Sequence, residues 1–215
     1  MHTRQPFPER GLYAITDGPR PDLIAACAAA LRGGAVVLQY RDKSEDAARR
    51  HAEAEALTVL CARTHVPLII NDDIELAAAV GAAGVHLGAG DADAASARAQ
   101  LGAAAIIGVS CYDSLERARE LTLAGADYLA FGAFFSSPTK PLARRATPGL
   151  LSVAKRLGKP LVAIGGVTPD NARPLLEAGA DFVAAISGVF ASSDPESAAR
   201  RYAHLFQKYK RIHVH

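Results

Sequence analysis

Gln39, Arg41 and Lys43 stand at alternate positions, so an extended backbone aims all three side chains to one side. An amide and two cations converging in one place suit phosphate groups, and arginine can grip two oxygens at once. Asn71-Asp72-Asp73 is a run of three Asx residues, more than a helix start needs as its cap. Asp91 follows in a glycine-flanked stretch, Gly88-Ala89-Gly90-Asp91. Two carboxylates with an open outer sphere commonly hold Mg²⁺ against substrate phosphates, so Asp72 and Asp91 are the expected metal ligands, for one Mg²⁺. Taken alone, Asp91 reads equally well as the cap of the next helix. The pair beside a basic cluster is the stronger signal.

A second set is built from glycine. Gly165-Gly166 and Ile186-Ser187-Gly188 would leave backbone N–H groups exposed near helix starts, a setting that receives phosphate. Ser110, Ser137, Thr139 and Lys140 complete the candidate set, the last three in a polar stretch with Pro138. No Ser-His-Asp arrangement is evident, and His86 falls inside an apolar run, where a satisfied core histidine is expected. Without an obvious acid or base, the chemistry should rest on electrostatics and positioning. Arg41, Lys43 and Lys140 against Asp72 and Asp91, with one Mg²⁺, leave a net charge of +3. A diphosphate ester carries about −3, so the cluster matches one diphosphate plus metal and favours diphosphate as a leaving group. The Gly166 and Ser187 stretches would take the phosphate of another substrate.

These residues lie where short apolar runs end. The runs are Leu12–Ile15, Val36–Leu38, Leu68–Ile70, Val85–Leu87, Ile106–Ile107, Tyr128–Phe131, Leu161–Ile164 and Phe182–Ile186. Alanine-rich stretches of helical period separate them. Continuous Val/Ile/Leu runs describe parallel strands buried on both faces. Ala83-Gly84-Val85, Ala124-Gly125-Ala126-Asp127 and Ala178-Gly179-Ala180-Asp181 repeat the handover from helix to strand. Eight alternations with chemistry at the strand exits predict a single α/β domain over residues 1–215, a (β/α)₈ TIM barrel read from its C-terminal face. Residues 1–10 are expected as an extension, 133–147 as a lid loop before a helix over Pro148–Leu157, and 208–215 as a basic, frayed tail.

Bulk composition agrees with a soluble enzyme-sized domain. Half of the 215 residues are hydrophobic, a fifth are charged, and the net charge is only +2, too weak a field to gather nucleic acid. The first ten residues have no apolar core for a signal peptide, and no apolar run approaches the roughly 20 residues of a membrane span. Cys27, Cys61 and Cys111 share no metal-type spacing and read as core residues in a reducing, cytoplasmic compartment. Small-molecule substrates are the expected partners, with no nucleic acid and no membrane. Homo-oligomerisation is left open.

In this order and spacing, the motifs resemble the thiamine phosphate synthase family. The resemblance rests on Leu12-Tyr-Ala-Ile-Thr-Asp17, Leu38-Gln-Tyr-Arg-Asp-Lys43, Ile70-Asn-Asp-Asp73, Gly84-Val-His-Leu-Gly88, Ile107-Gly-Val-Ser110, Gly132-Ala-Phe-Phe-Ser-Ser-Pro-Thr-Lys140, Val162-Ala-Ile-Gly-Gly166 and Ala185-Ile-Ser187. It implies a transferase that joins hydroxymethylpyrimidine diphosphate to a thiazole phosphate, carboxylated or not, releasing diphosphate and giving thiamine phosphate. By the same resemblance, Gln39, Tyr40, Arg41, Asp42, Lys43, Asn71, Ser110 and Lys140 hold the pyrimidine diphosphate, with Lys140, Arg41 and Ser110 at the chemistry. Asp72 and Asp91 hold Mg²⁺, and Ser137, Pro138, Thr139, Gly166, Ile186 and Ser187 receive the thiazole phosphate. The family reaction ionises first, and a ring nitrogen with a free lone pair then captures the cation without a base. Ala89 and Ser137 depart from the glutamine and threonine of many relatives, and neither removes a proposed charge. A sister family of thiazole tautomerases shares the barrel but carries a histidine where this chain has Tyr112. A phosphate-binding sensor without catalysis would have no use for both carboxylates.

Overall fold

The computed structural model describes residues 7–88, 90, 93–136 and 145–210. Strands β1 (Gly11–Ile15), β2 (Ala35–Tyr40), β3 (Leu68–Asn71), β4 (Gly84–Leu87), β5 (Ile106–Tyr112), β6 (Tyr128–Phe131), β7 (Leu161–Ala163) and β8 (Phe182–Ala185) form a closed barrel in chain order. Every pairing is parallel, and β1 closes the ring on β8 with Leu12 opposite Val183. The expected (β/α)₈ architecture is therefore the observed one. Helices α1 (Leu23–Arg32), α2 (Ala47–Thr64), α3 (Ile74–Val80), α4 (Ala94–Leu101), α5 (Leu115–Leu123), α6 (Pro148–Ala154), α7 (Arg173–Glu177), α8 (Ser187–Phe190) and α9 (Pro195–Lys210) surround it among the described residues.

Alternation along each strand divides the core into two layers. Leu12, Ala14, Leu38, Val85, Leu129 and Val183 face outward and pack under the helices. Tyr13, Val37, Ile69, Ile106, Tyr128, Val162 and Phe182 face inward and fill the barrel. Burial on both faces explains why the strands read as unbroken apolar runs. Phe7, just before β1, lies across the N-terminal end, its ring stacked 4.7 Å from that of Tyr128 and tilted 4.9 Å from that of Phe182. The Ala-Gly-Ala-Asp repeat also acquires a role. Asp127 accepts from the Ile107 N–H at 2.8 Å while pairing with Arg98, and Asp181 accepts from the Leu161 N–H at 2.9 Å while pairing with Lys155. Each aspartate thus pins the start of the preceding strand to a helix-borne cation.

Three boundaries differ from the sequence reading. β5 runs on to Tyr112, past Gly108, which the sequence suggested as a strand end. A Cβ at Gly108 would sit 1.8 Å from Tyr128 Cζ, so this glycine makes room for an aromatic ring inside the barrel. The predicted helix over Pro148–Leu157 is α6 followed by a 3₁₀ turn at Lys155–Leu157. α9 carries the chain in helical form through Lys210, so Lys208 belongs to a helix rather than to a tail. Among the described residues, no helix is long and apolar enough to cross a membrane.

Candidate active site

A cavity of about 950 Å³ opens at the C-terminal end of the barrel, and every strand or its exit lines it. Ile15, Gln39, Asn71, His86, Ser110, Ala130, Ile164 and Ala184 contribute one residue from each in turn. β2 ends at Tyr40, yet the alternation continues past it, so Gln39, Arg41 and Lys43 all line the cavity as their spacing predicts. Thr16 at the β1 exit fixes this extension. Its Oγ1 accepts from the Arg41 N–H at 2.7 Å and donates to the Arg41 carbonyl at 3.0 Å.

The intervening residues face the other way. Tyr40 is buried in the helix layer, where its hydroxyl donates to Glu53 at 2.7 Å. Burial, with the neighbouring Glu53 carboxylate, pushes this phenol well up from its ordinary range. Asp42 accepts from the Ser44 N–H at 2.8 Å and lies 2.8 Å from the Arg49 guanidinium of α2. Burial opposes its charge, but the Ser44 hydrogen bonds and Arg49 together outweigh that and hold the carboxyl below its usual range. Tyr40 and Asp42 therefore secure the β2 exit to α2, and their side chains do not line the large cavity.

At the β3 exit Asn71 and Asp72 line the same mouth, with the Lys43 ammonium 3.6 Å from the Asp72 carboxylate. Asp72 adopts φ 64°, a left-handed conformation, and its N–H donates to the His86 carbonyl at 2.8 Å. Asp73, third in the run, caps α3 by accepting from the Leu76 N–H and pairs with Arg50 at 2.6 Å. The Asx run thus divides into two cavity residues and one cap. Among the described residues, no group of three or more His, Cys, Asp or Glu side chains stands ready to hold a metal ion. Asp91, the second expected ligand, lies outside them.

His86 is a satisfied barrel histidine, as the sequence suggests, and it also lines the cavity. Its Nδ1 is 3.0 Å from the Tyr128 hydroxyl and its Nε2 is 3.0 Å from Ser110 Oγ. Tyr13, Tyr128 and Gln39 continue this contact through the interior, which the sequence did not reveal. The position of the tautomerase histidine is taken by Tyr112, left-handed at φ 54°, with the Arg117 guanidinium 5.9 Å from its ring centre. Arg117 also donates to the Ser110 and Gly88 carbonyls, joining the β4 and β5 exits.

On the opposite side of the mouth Gly165 and Gly166 have φ 95° and 63°, conformations that L side chains rarely adopt. A Cβ on Gly166 would lie 2.5 Å from the Ser136 carbonyl, so the β7 and β6 exits touch through it. Asn171 supports the turn by donating to the Gly166 carbonyl at 3.0 Å. Ile186 and Ser187 lead into α8, whose first N–H groups have no acceptor within the helix. Ser137, Pro138, Thr139 and Lys140 lie outside the described residues. The two sides of that stretch are held together, because Ala146 N–H donates to the Ala133 carbonyl at 2.9 Å and Arg145 donates to Ser136 Oγ. The three cysteines are buried, and burial pushes the Cys61 and Cys111 thiols up to about 12, consistent with structural roles.

Comparison with known proteins agrees with this geometry. The family model described as thiamine monophosphate synthase matches residues 12–189. The chain is 55% identical over 194 residues to the thiamine-phosphate synthase of Xanthomonas campestris pv. campestris, covering 90% of this chain and 94% of that one. It is 52% identical over 206 residues to the enzyme of the same name from Halorhodospira halophila, covering 95% and 98%. Among solved structures, thiamine phosphate pyrophosphorylase from Pyrococcus furiosus superimposes with a TM-score of 0.84 at 32% identity, over 93% of this chain and 96% of that one. The chain therefore belongs to the thiamine monophosphate synthase family.

Proposed function

We propose that the protein joins 4-amino-2-methyl-5-hydroxymethylpyrimidine diphosphate to a 4-methyl-5-(2-phosphoethyl)thiazole, giving thiamine phosphate and diphosphate. The observation that carries this reading is the two-sided mouth. Gln39, Arg41, Lys43 and Asn71 stand on one side and the Gly166 and Ser187 turns on the other, so one cavity has places for two phosphorylated molecules. Arg41 and Lys43 hold the diphosphate, together with Ser110 and with Lys140 from the stretch between β6 and α6. Gly166, Ile186 and Ser187, with Ser137, Pro138 and Thr139, receive the thiazole phosphate.

The bond between the pyrimidine methylene carbon and the diphosphate oxygen breaks first, and its electron pair leaves with diphosphate. The thiazole nitrogen then supplies its lone pair to the methylene carbon, forming the C–N bond. No proton is removed in either step, so the reaction calls for no general base. Arg41 and Lys43 stabilise the charge that gathers on the departing oxygen, a contribution strongest in the transition state. Asp72 offers hard carboxylate oxygens on the rim beside Asn71, a donor chemistry that suits Mg²⁺, and Asp91 would be its partner in holding one ion. Bound there, Mg²⁺ would supply further positive charge to the diphosphate. Lys140 and the stretch 133–147 would close over the mouth and keep water from the cation.

One assay tests the reading. The purified protein with Mg²⁺ and both substrates should form thiamine phosphate, detected as fluorescent thiochrome after oxidation, with diphosphate released in equal amount. Product formation undiminished by excess EDTA would remove Asp72 and Asp91 from the metal role. Conversion of the thiazole phosphate alone, without pyrimidine, would favour a tautomerase instead.

A further inference from the structure

Five side chains from five strands form one hydrogen-bonded line across the barrel. Gln39 Nε2 donates to the Tyr13 hydroxyl at 2.9 Å, Tyr13 and Tyr128 share a bond of 2.7 Å, and His86 joins Tyr128 to Ser110 through two contacts of 3.0 Å. Only its two ends, Gln39 and Ser110, belong to the set assigned to the pyrimidine diphosphate. We propose that Tyr13, Tyr128 and His86 are positioning residues that lock the Gln39 amide and the Ser110 hydroxyl into one matched hydrogen-bonding pattern.

The hydrogens available to the five groups fix this pattern. Tyr13 and Tyr128 are 1% and 0% exposed, so each hydroxyl hydrogen must find its acceptor inside the line. The Gln39 amide nitrogen can only donate, so it occupies the Tyr13 oxygen, and the Tyr13 hydrogen goes to Tyr128. The Tyr128 hydrogen then goes to His86 Nδ1, which must be an unprotonated acceptor. The imidazole proton is therefore on Nε2 and is donated to Ser110 Oγ. Ser110 keeps its own hydrogen for the cavity, and Gln39 keeps its carbonyl oxygen. A flipped amide reverses every bond. Ser110 then donates inward and Gln39 offers only N–H groups outward. With His86 neutral, any mixture leaves a tyrosine hydrogen without an acceptor or two lone pairs facing each other, and a doubly protonated His86 fits only the flipped amide. Burial keeps both phenols protonated by pushing their pKa values well above the ordinary range.

With His86 neutral the line thus has two states, and a change at one end is read at the other through the buried phenols between them. A heterocycle that offers a donor to Gln39 and an acceptor to Ser110 is selected over its transposed isomer. What Gln39 and Ser110 hold rests on the function proposed above, whereas the coupling between them does not.

Two measurements test this separately. The first needs no ligand: ¹⁵N NMR of labelled histidine, with the His86 signals among the seven histidines assigned from a His86→Gln variant. The wild-type protein should show the Nε2–H tautomer. Gln39→Glu places an acceptor-only group at the head of the line and should convert His86 to the Nδ1–H tautomer. In a Tyr128→Phe background, adding Gln39→Glu should change nothing. An unmoved tautomer in Gln39→Glu, or the same response with the Tyr128 hydroxyl removed, would overturn the proposal. The second measurement is calorimetric. Tyr128→Phe should weaken pyrimidine diphosphate binding about 5- to 10-fold, leave thiazole phosphate within 2-fold, and unfold cooperatively as the wild type does. Equal losses for both ligands would make Tyr128 a packing residue. Failure to bind either substrate would defeat the functional reading and leave the NMR result to decide the coupling.

Discussion

On the assignment proposed above, the two sides of the mouth would hold their ligands by different means. Around β2 to β5 the lining groups are side chains with side-chain support: Thr16 holds the Arg41 backbone, Tyr13 the Gln39 amide and His86 the Ser110 hydroxyl. Around β7 and β8, backbone takes over, with Gly165 and Gly166 in left-handed turns and Ser187 at the head of α8. The difference matches the task. A flat heterocycle bearing a diphosphate needs oriented donors and acceptors together with charge. A single phosphate dianion is served by converging N–H groups alone. Substitutions on the first side should therefore act through lost groups, and those on the second through displaced backbone.

The largest contrast should come from Arg41. Arg41→Ala removes a cation whose backbone is held independently by Thr16, so kcat/KM should fall about 100-fold while the fold persists. Thiazole phosphate affinity, measured by titration calorimetry, should stay near the wild-type value. A matching fall there would show that the two sides are not separate. Gly166→Ala comes next and should act differently. A Cβ at φ 63°, placed 2.5 Å from the Ser136 carbonyl, strains the turn and pushes on the β6 exit. Thermal unfolding should show a loss of about 1–2 kcal/mol, with thiazole phosphate weakened more than pyrimidine diphosphate. Ser187→Ala, which leaves the backbone in place, should cost only about 3- to 10-fold in thiazole phosphate affinity, the worth of one hydrogen bond. A loss as large as that at Arg41 would mean that side chains dominate on both sides.

The smallest effect concerns Asp42, which secures the β2 exit from behind. Its carboxyl titrates below the ordinary range, so the folded state gains stability above the unfolded pKa near 3.9 and loses it as pH falls through the lower, folded value. Acid unfolding followed by circular dichroism should be steeper below about pH 4 for the wild type than for Asp42→Asn. At neutral pH the substitution should lower kcat/KM slightly, by loosening the segment that carries Arg41 and Lys43. Identical acid profiles would remove the Asp42–Arg49 pair from this role.

The sequence disclosed these two sides unequally. Gln39, Arg41 and Lys43 were legible because a period of two survives the end of the strand, and the Asx run stood out because one cap needs one residue. The glycine turns were visible as glycines, but neither their positive φ nor the contact between Gly166 and Ser136 can be read from residue type. Tyr13 and Tyr128 were hidden, since a tyrosine within an apolar strand looks like packing. The available clue was Gly108 in mid-strand, which reads as a strand end until a ring is known to need its space. Thr16 was hidden for a similar reason: a hydroxyl at a strand exit resembles a cap, and its bonds to Arg41 span 25 residues of sequence.

Phe7, with Tyr128 and Phe182, gives the barrel a floor, and the layer above it is filled by side chains that are almost wholly shielded from solvent. Among the described residues the cavity is therefore closed at that end, and on the proposed function both reactants and both products would pass through its mouth. On the assignment proposed above, the molecule held against Gln39 and Ser110 would have to arrive before the one across the mouth, and traffic becomes a queue. Product-inhibition kinetics should show that order, with thiamine phosphate competing against whichever substrate meets the empty enzyme.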